Sequence, residues 1–227
     1  MTQATIATAR GRQAWTVDER TLPPIERAYH YVLRGILSGE LGPGMHVPSE
    51  AVAMALGISR MPVRDALRRL EGDGVVVIFA NRGATIAEYT AGEVVQLIEI
   101  RAVLEALGAR LALANIGQRE MDELLYRKTR MERSIDDLAR WISFHDDFHN
   151  YLTSLSNRPM LLRQTERIRL MLRPYFRRHH AQHQELEIPG HEHTKITDAI
   201  QAGDAEQVEQ VVKSHALANL DRIAKMA

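Results

Sequence analysis

The sequence predicts a mostly helical protein in two parts: a small module of three helices and a β-hairpin, then an all-α bundle with an internal cavity. Three observations predict it. Apolar stripes at helical spacing, punctuated by glycine, fill residues 24–70. Two β-prone runs follow, Val75-Val76-Val77-Ile78-Phe79 and Ala84-Thr85-Ile86-Ala87. From Thr90 onward strand signals vanish and only helical periodicity remains.

The first helix runs from Pro24 to Ser38, with Ile25, Ala28, Val32 and Ile36 on one face, and Gly39 ends it. Leu41-Gly42-Pro43-Gly44 is a turn, and Met45-His46-Val47 is a short strand. Ser49 caps a second short helix through Leu56. The third follows the turn at Gly57-Ile58. Ser59 is placed to cap it by accepting from an early amide, and Pro62 falls where backbone N–H groups lack helical partners. Val63, Ala66, Leu67 and Leu70 face a core, and Gly74 stops the coil. The β-prone runs close into a hairpin whose tip is Ala80-Asn81-Arg82-Gly83.

Arg60, Arg64 and Arg68 stand four apart on the outside of this third helix. A short helix with forward-facing arginines suits the major groove of DNA, where Arg binds guanine O6 and N7 bidentately or a phosphate. An ordinary solvated arginine face is the plain alternative. The three helices and the hairpin, read as a wing, fit a winged helix–turn–helix.

The order Leu41-Gly42-Pro43-Gly44, Pro48-Ser49-Glu50, then Leu56 through Leu70, Gly74 and Asn81-Arg82-Gly83 resembles the GntR family of bacterial transcription regulators. The resemblance covers about residues 22–87. It implies a DNA-binding surface of Ser59, Arg60, Arg64, Arg68, Asn81, Arg82 and Gly83. Met61 departs from the family pattern, where threonine or another small residue is common.

Composition sets outer bounds. The 227 residues hold two modest domains: 22–89 for the DNA-binding module and 90–227 for the bundle, with 1–21 as a flexible polar tail rather than a signal peptide. There is no cysteine, so disulfides and thiolate metal sites are excluded. No apolar run approaches a membrane span. Lys plus Arg and Asp plus Glu are 29 each, so any nucleic-acid footprint is local. A cytoplasmic location follows as the expectation.

In the second part Thr90 and Glu93 form a capping box for a helix through about Ala114. Helices follow at 118–133, 137–156, 160–180 and 189–202, the fourth bent or ended at Pro174. Asp204 and Gln207 cap a last helix ending near Met226. Four histidines fall on the apolar stripes: His145 and His149 among Leu138, Trp141, Phe148 and Leu152, His193 with Ile196 and Ile200, and His215 with Val208 and Val212. Each inward histidine needs a buried hydrogen-bond partner, or the four share a metal; the i, i+4 spacing of His145 and His149 allows the second. Arg101 sits on the stripe of Val94, Leu97, Ile98 and Leu104, so its cation needs an anion: a bundle glutamate or a ligand carboxylate.

Phe148-His149, Ser156-Asn157, Glu192-His193, Ala199-Ile200, Gly203-Asp204 and His215 look like the FCD effector-binding domain, over about residues 90–227. That resemblance implies a divalent metal held by an Asp and three His. His149, His193 and His215 match the histidines, and His145 stands at the Asp position. An all-nitrogen set favours Zn or Ni, or Cu, over oxygen-loving ions. The resemblance also implies that Arg101 helps bind a small carboxylate effector.

The expected protein is a ligand-responsive regulator and not an enzyme. As a homodimer it binds a palindromic double-stranded DNA operator, with no membrane partner. Two alternatives differ in class: a metal-dependent hydrolase carrying a winged helix, or a regulator whose bundle is only a dimerisation scaffold. The hydrolase needs a general base near the metal, and no inward carboxylate is evident in the sequence.

Overall fold

The structure is a computed structural model and describes residues 21–80, 82–182, 190–218 and 220. These fall into two compact units. One comprises the described residues of Glu19–Arg101, Arg167–Glu187 and Ala216–Ala227; the other comprises those of Ala102–Glu166 and Ile188–His215.

The first unit contains the winged helix, in the order α1 (Pro24–Ser38), β1 (His46–Val47), α2 (Ser49–Leu56), α3 (Arg60–Gly72), β2 (Val76–Phe79) and β3 (Gly83–Ile86). Pro24 begins α1, where its missing N–H costs nothing, and Gly39 ends it in the left-handed region at φ +85°. Ser49, expected to cap α2, is instead its first residue; Pro48 holds the cap position, and no side chain caps the helix. The sheet order is β1-β3-β2, all antiparallel, with Val76 opposite Ile86 and Phe79 opposite Gly83. Ala28, Val32, Ile36, Val63, Ala66, Leu67, Leu70, Val76 and Ile86 make one buried apolar cluster. Arg27 Nη2 donates to the carbonyl of Leu56 at 2.8 Å, and Tyr29 donates to Asp73 at 2.9 Å, fixing α1 to the ends of α2 and α3.

Two further helices contribute to this unit: α4 (Ala91–Ala112) up to Arg101, and α7 (Pro159–Gln182) from Arg167. Thr90 and Glu93 form the expected capping box, with Thr90 N donating to Glu93 Oε2 at 2.8 Å and Glu93 N to Thr90 Oγ1 at 3.3 Å. From α7, Arg177 donates to the carbonyls of Leu37 (2.8 Å) and Ser38 (3.0 Å), satisfying acceptors at the end of α1. Pro174 does not end α7; the helix continues to Gln182. The hydrogen bond that proline removes is offset by burial of Leu172 and Tyr175 on either side of it.

The second unit holds the rest of α4 and a 3-10 turn at Leu113–Asn115. It continues with α5 (Gln118–Glu132), α6 (Leu138–Ser154), the start of α7, α8 (Gly190–Ala202) and α9 (Ala205–Leu217). Asp137 caps α6 by accepting from Arg140 N at 3.0 Å. Asp204 caps α9, accepting from the amides of Glu206 and Gln207 at 3.0 Å each. Its core joins Ala106, Ala109, Leu124, Phe148, Leu152, Ile196, Ile200, Val208 and Val212. Gly108 lets α4 approach α6 closely: a Cβ there would lie 3.0 Å from Thr153 Cγ2. The tail at 1–20, Asn81 at the wing tip and the expected stretch of the last helix near Met226 lie outside the described residues. Among the described residues no helix is long and apolar enough to cross a membrane.

Candidate nucleic-acid interface and candidate metal centre

The sequence of α3 divides its surface by period. Val63, Ala66, Leu67 and Leu70 are buried, so the opposite face must hold what the core does not. Arg60, Arg64 and Arg68 are all exposed there. Arg60 forms an ion pair with Glu50 of α2, and Arg68 Nη1 stands 3.6 Å from Asp65 Oδ1. Both pairs are solvent-exposed, so each holds its arginine only weakly and leaves it available to a phosphate or a base.

Ser59 occupies the N-cap position with extended backbone but makes no capping bond from its side chain, contrary to expectation. Its ψ of 166° satisfies the geometry of helix entry without that bond. On the wing, Arg82 is exposed and its amide donates to Phe79 O at 3.2 Å. Gly83 has φ +81°, which favours glycine; a Cβ there would also come within 2.8 Å of His46 Nε2, the end of an exposed side chain that can move aside.

The histidine stripes of α6, α8 and α9 converge. His145, His149, His193 and His215 each offer a ring nitrogen, and those atoms all lie within 4.8 Å of one another. His149 Nε2 and His193 Nε2 are 3.3 Å apart, both rings being almost fully buried. Two nitrogens bound tetrahedrally to zinc at about 2.0–2.1 Å would stand at about that separation. Two of the four imidazoles have a carboxylate near Nδ1. His215 Nδ1 is 3.3 Å from Glu192 Oε2, and His149 Nδ1 is 3.9 Å from Glu105 Oε2. A carboxylate accepting from Nδ1 favours the tautomer that leaves Nε2 its lone pair, as in carboxylate–histidine–metal arrangements; Glu192 stands at hydrogen-bonding distance from His215, and Glu105 at ion-pair distance from His149. The donor set, its spacing and its outer partners therefore fit a nitrogen-liking divalent metal.

Glu105 and Glu192 correct the expectation that no carboxylate points inward. Glu105 lies one helical turn after Arg101 on the same stripe of α4, and that i, i+4 relation was the signal available. Glu105 faces Nδ1 of His149, the nitrogen opposite the Nε2 that stands 3.3 Å from His193 Nε2. The His215 hydrogen bond holds the Glu192 carboxyl below its ordinary value. Asp146 and Asp147 do not replace His145. Asp146 Oδ1 stands 3.9 Å from His145 Nδ1, and it is the imidazole of His145 that joins the cluster. Asp147 is ion-paired with Arg127, and its burial nevertheless raises its carboxyl above the ordinary value.

Arg101 is 4% exposed and belongs to the winged-helix unit, whereas the four histidines belong to the other. Its Nη2 donates to the carbonyl of Ala216 at 3.0 Å, and its guanidinium lies 4.9 Å from the centre of the Phe176 ring.

An exposed arginine helix beside a glycine-hinged wing defines a winged-helix DNA-binding protein. Residues 24–86 match the family described as bacterial regulatory proteins, gntR family, and residues 96–218 match the FCD domain. The chain belongs to the GntR family of DNA-binding transcription regulators, in the group that carries an FCD domain. It is 24% identical over 200 residues to the HTH-type transcriptional regulator YdhC of Bacillus subtilis (strain 168), covering 87% of this chain and 89% of that one. It is 24% identical over 199 residues to the HTH-type transcriptional repressor RspR of Escherichia coli (strain K12), covering 86% of each. The fold matches that of E. coli McbR/YncC with a TM-score of 0.82 at 20% identity, over 90% of this chain and 99% of that one.

Proposed function

We propose that this regulator binds its operator as a homodimer and is controlled by a small organic acid at a metal centre in the FCD domain. The observation that carries the reading is the convergence of four imidazoles within 4.8 Å, two of them with a carboxylate near Nδ1. His145, His149, His193 and His215 would hold the ion, with Zn or Ni favoured by the nitrogen donors. When bound, the metal supplies a positive centre that attracts a carboxylate. Arg101, buried and cationic, is the residue we assign to the acid through charge-assisted hydrogen bonds.

Ser59, Arg60, Arg64, Arg68, Arg82 and Gly83, with Asn81, form the proposed DNA surface, two copies reading half-sites of a palindrome. Residues 22–89 and 90–227 are the proposed functional domains, and the cytoplasm the proposed location. Effector binding shifts the population between DNA-competent and incompetent arrangements by its difference in affinity for the two. In this reading the chain acts as a regulator and not as a hydrolase, with Glu105 and Glu192 each standing beside the Nδ1 of an imidazole.

A thermal screen of small carboxylates against zinc- or nickel-loaded protein tests this, since a ligand of the native state raises its stability. A hit should stabilise wild type and lose about 2–5 kcal/mol of affinity in Arg101→Ala, read by calorimetry. Operator binding by Arg101→Ala without the acid should be unchanged. Wild-type affinity for the acid in this variant would make Arg101 a structural residue only.

A further inference from the structure

The outer face of α3 carries one residue that charge does not explain. Met61 stands in the first turn, three residues before Arg64 and seven before Arg68, a spacing that puts all three on one side of the helix. Buried Val63, Ala66, Leu67 and Leu70 hold the other side. Met61 is 58% exposed, so its side chain stays out of the core, on the same side of the helix as the two arginines. A lone apolar side chain on a protein surface is ordinary. This one stands on the face that the arginines present to DNA.

The base edges of the major groove offer polar groups almost everywhere. Their apolar feature is the 5-methyl group of thymine. Arginines on either side can take guanine edges or phosphates, but neither discriminates a methyl group. A flexible, polarisable thioether matches it in chemistry and can adjust to its position.

We propose that Met61 is a specificity-determining residue that reads the 5-methyl group of one thymine in each operator half-site. The proposal rests on α3 being the helix that enters the major groove.

The test uses full-length protein and operators selected with it from a random duplex library. Each thymine is then replaced singly by deoxyuridine, which deletes one methyl and keeps the pairing edge. Wild type should lose about fourfold in affinity at one thymine per half-site, the effect of exposing one buried methyl. Met61→Ala should bind the thymine operator about that much more weakly and no longer distinguish thymine from uracil there. Met61→Leu, apolar and of similar volume, should keep the discrimination. The salt dependence of Met61→Ala should equal that of wild type, because no cation is removed.

A wild type indifferent to every uracil substitution overturns the proposal, as does a uracil penalty that survives in Met61→Ala. Arg64→Ala separates the two levels. If it weakens operator binding while the methyl scan is flat, only the Met61 proposal fails. If it binds like wild type, α3 is not the reader and both readings fail.

Discussion

The winged helix and the histidine-bearing unit bury opposite kinds of side chain. Among the described residues of 21–89 no charged or strongly polar side chain is buried; the core there is Val32, Ile36, Val63, Leu67, Leu70 and their apolar neighbours. The other unit buries Glu105, Asp146, His149, Thr153, Thr165 and His193. Burying such groups costs free energy unless each is bonded or paired. The winged helix is therefore built for stability inside and keeps its chemistry outside, in arginines that solvent can reach. The histidine unit tolerates a costlier interior, and that cost is where its chemistry lies. One region is read by asking which charges are exposed, the other by asking which polar groups are not.

The comparison breaks most visibly at the histidines. His149→Ala should abolish metal retention in protein purified without chelator, as measured by elemental analysis. Glu192→Gln should weaken metal binding by only about 10–100-fold, the usual effect of losing an outer hydrogen-bond partner of a ligand. If His149→Ala retained one metal per chain, the four imidazoles would be core hydrogen-bonding groups, and the contrast between the two regions would lose its functional meaning.

Within the winged helix, inside and outside should respond differently. Leu70 is fully buried, so Leu70→Ala should cost about 2–5 kcal/mol of stability in denaturant titration. Metal content should not change. Arg64→Ala should leave stability within about 0.5 kcal/mol, because Arg64 is exposed. It should instead weaken operator binding by about 1–3 kcal/mol at fixed salt. Arg82→Ala should act more evenly across DNA sequences and lower the salt slope by about one. A large stability loss in Arg64→Ala with unaltered operator affinity would reverse the assignment of the two faces.

Local signals were legible in the sequence, and pairings across the fold were not. The bounds of α1 follow from Pro24, its apolar stripe and Gly39, all within the helix or beside it. The four histidines were legible because period alone places them on buried stripes. The carboxylates beside them needed the packing of α4, α8 and α9 around α6. Glu50 holding Arg60 likewise joins two helices whose relative placement no single stripe encodes. Of the two outcomes expected at Pro174, the ending is overturned for the same reason: the helix runs on to Gln182, with Leu172 and Tyr175 buried on either side of the proline. Ser59 has the sequence of a cap and the backbone of a cap without the bond. The division of α7 between the two units depends on contacts such as Arg177 with the end of α1, which are long-range.

The smallest expected effect concerns the tyrosine tether of the winged helix. Tyr29 is almost buried and donates to Asp73 at 2.9 Å, and the Arg69 guanidinium lies 4.1 Å from the centre of its ring. Burial first, and the Asp73 carboxylate second, push its phenol well above the ordinary value of 10.0. In the unfolded chain the phenol ionises near that ordinary value. Between the two values the native state binds more protons than the unfolded one, so stability falls as pH rises. The contribution is complete below about pH 10 and is lost above it, by at most about 1.4 kcal/mol per pH unit for this group. Tyr29→Phe removes the hydrogen bond and should cost about 0.5–1.5 kcal/mol at pH 7. It also removes the titration. The stability gap between variant and wild type should therefore narrow as denaturant titrations move from pH 9 to pH 11. A gap that stayed constant across that range would mean that the Tyr29 phenol does not titrate differently in the folded and unfolded states. The interior of the winged helix would then lack the one pH-sensitive group assigned to it.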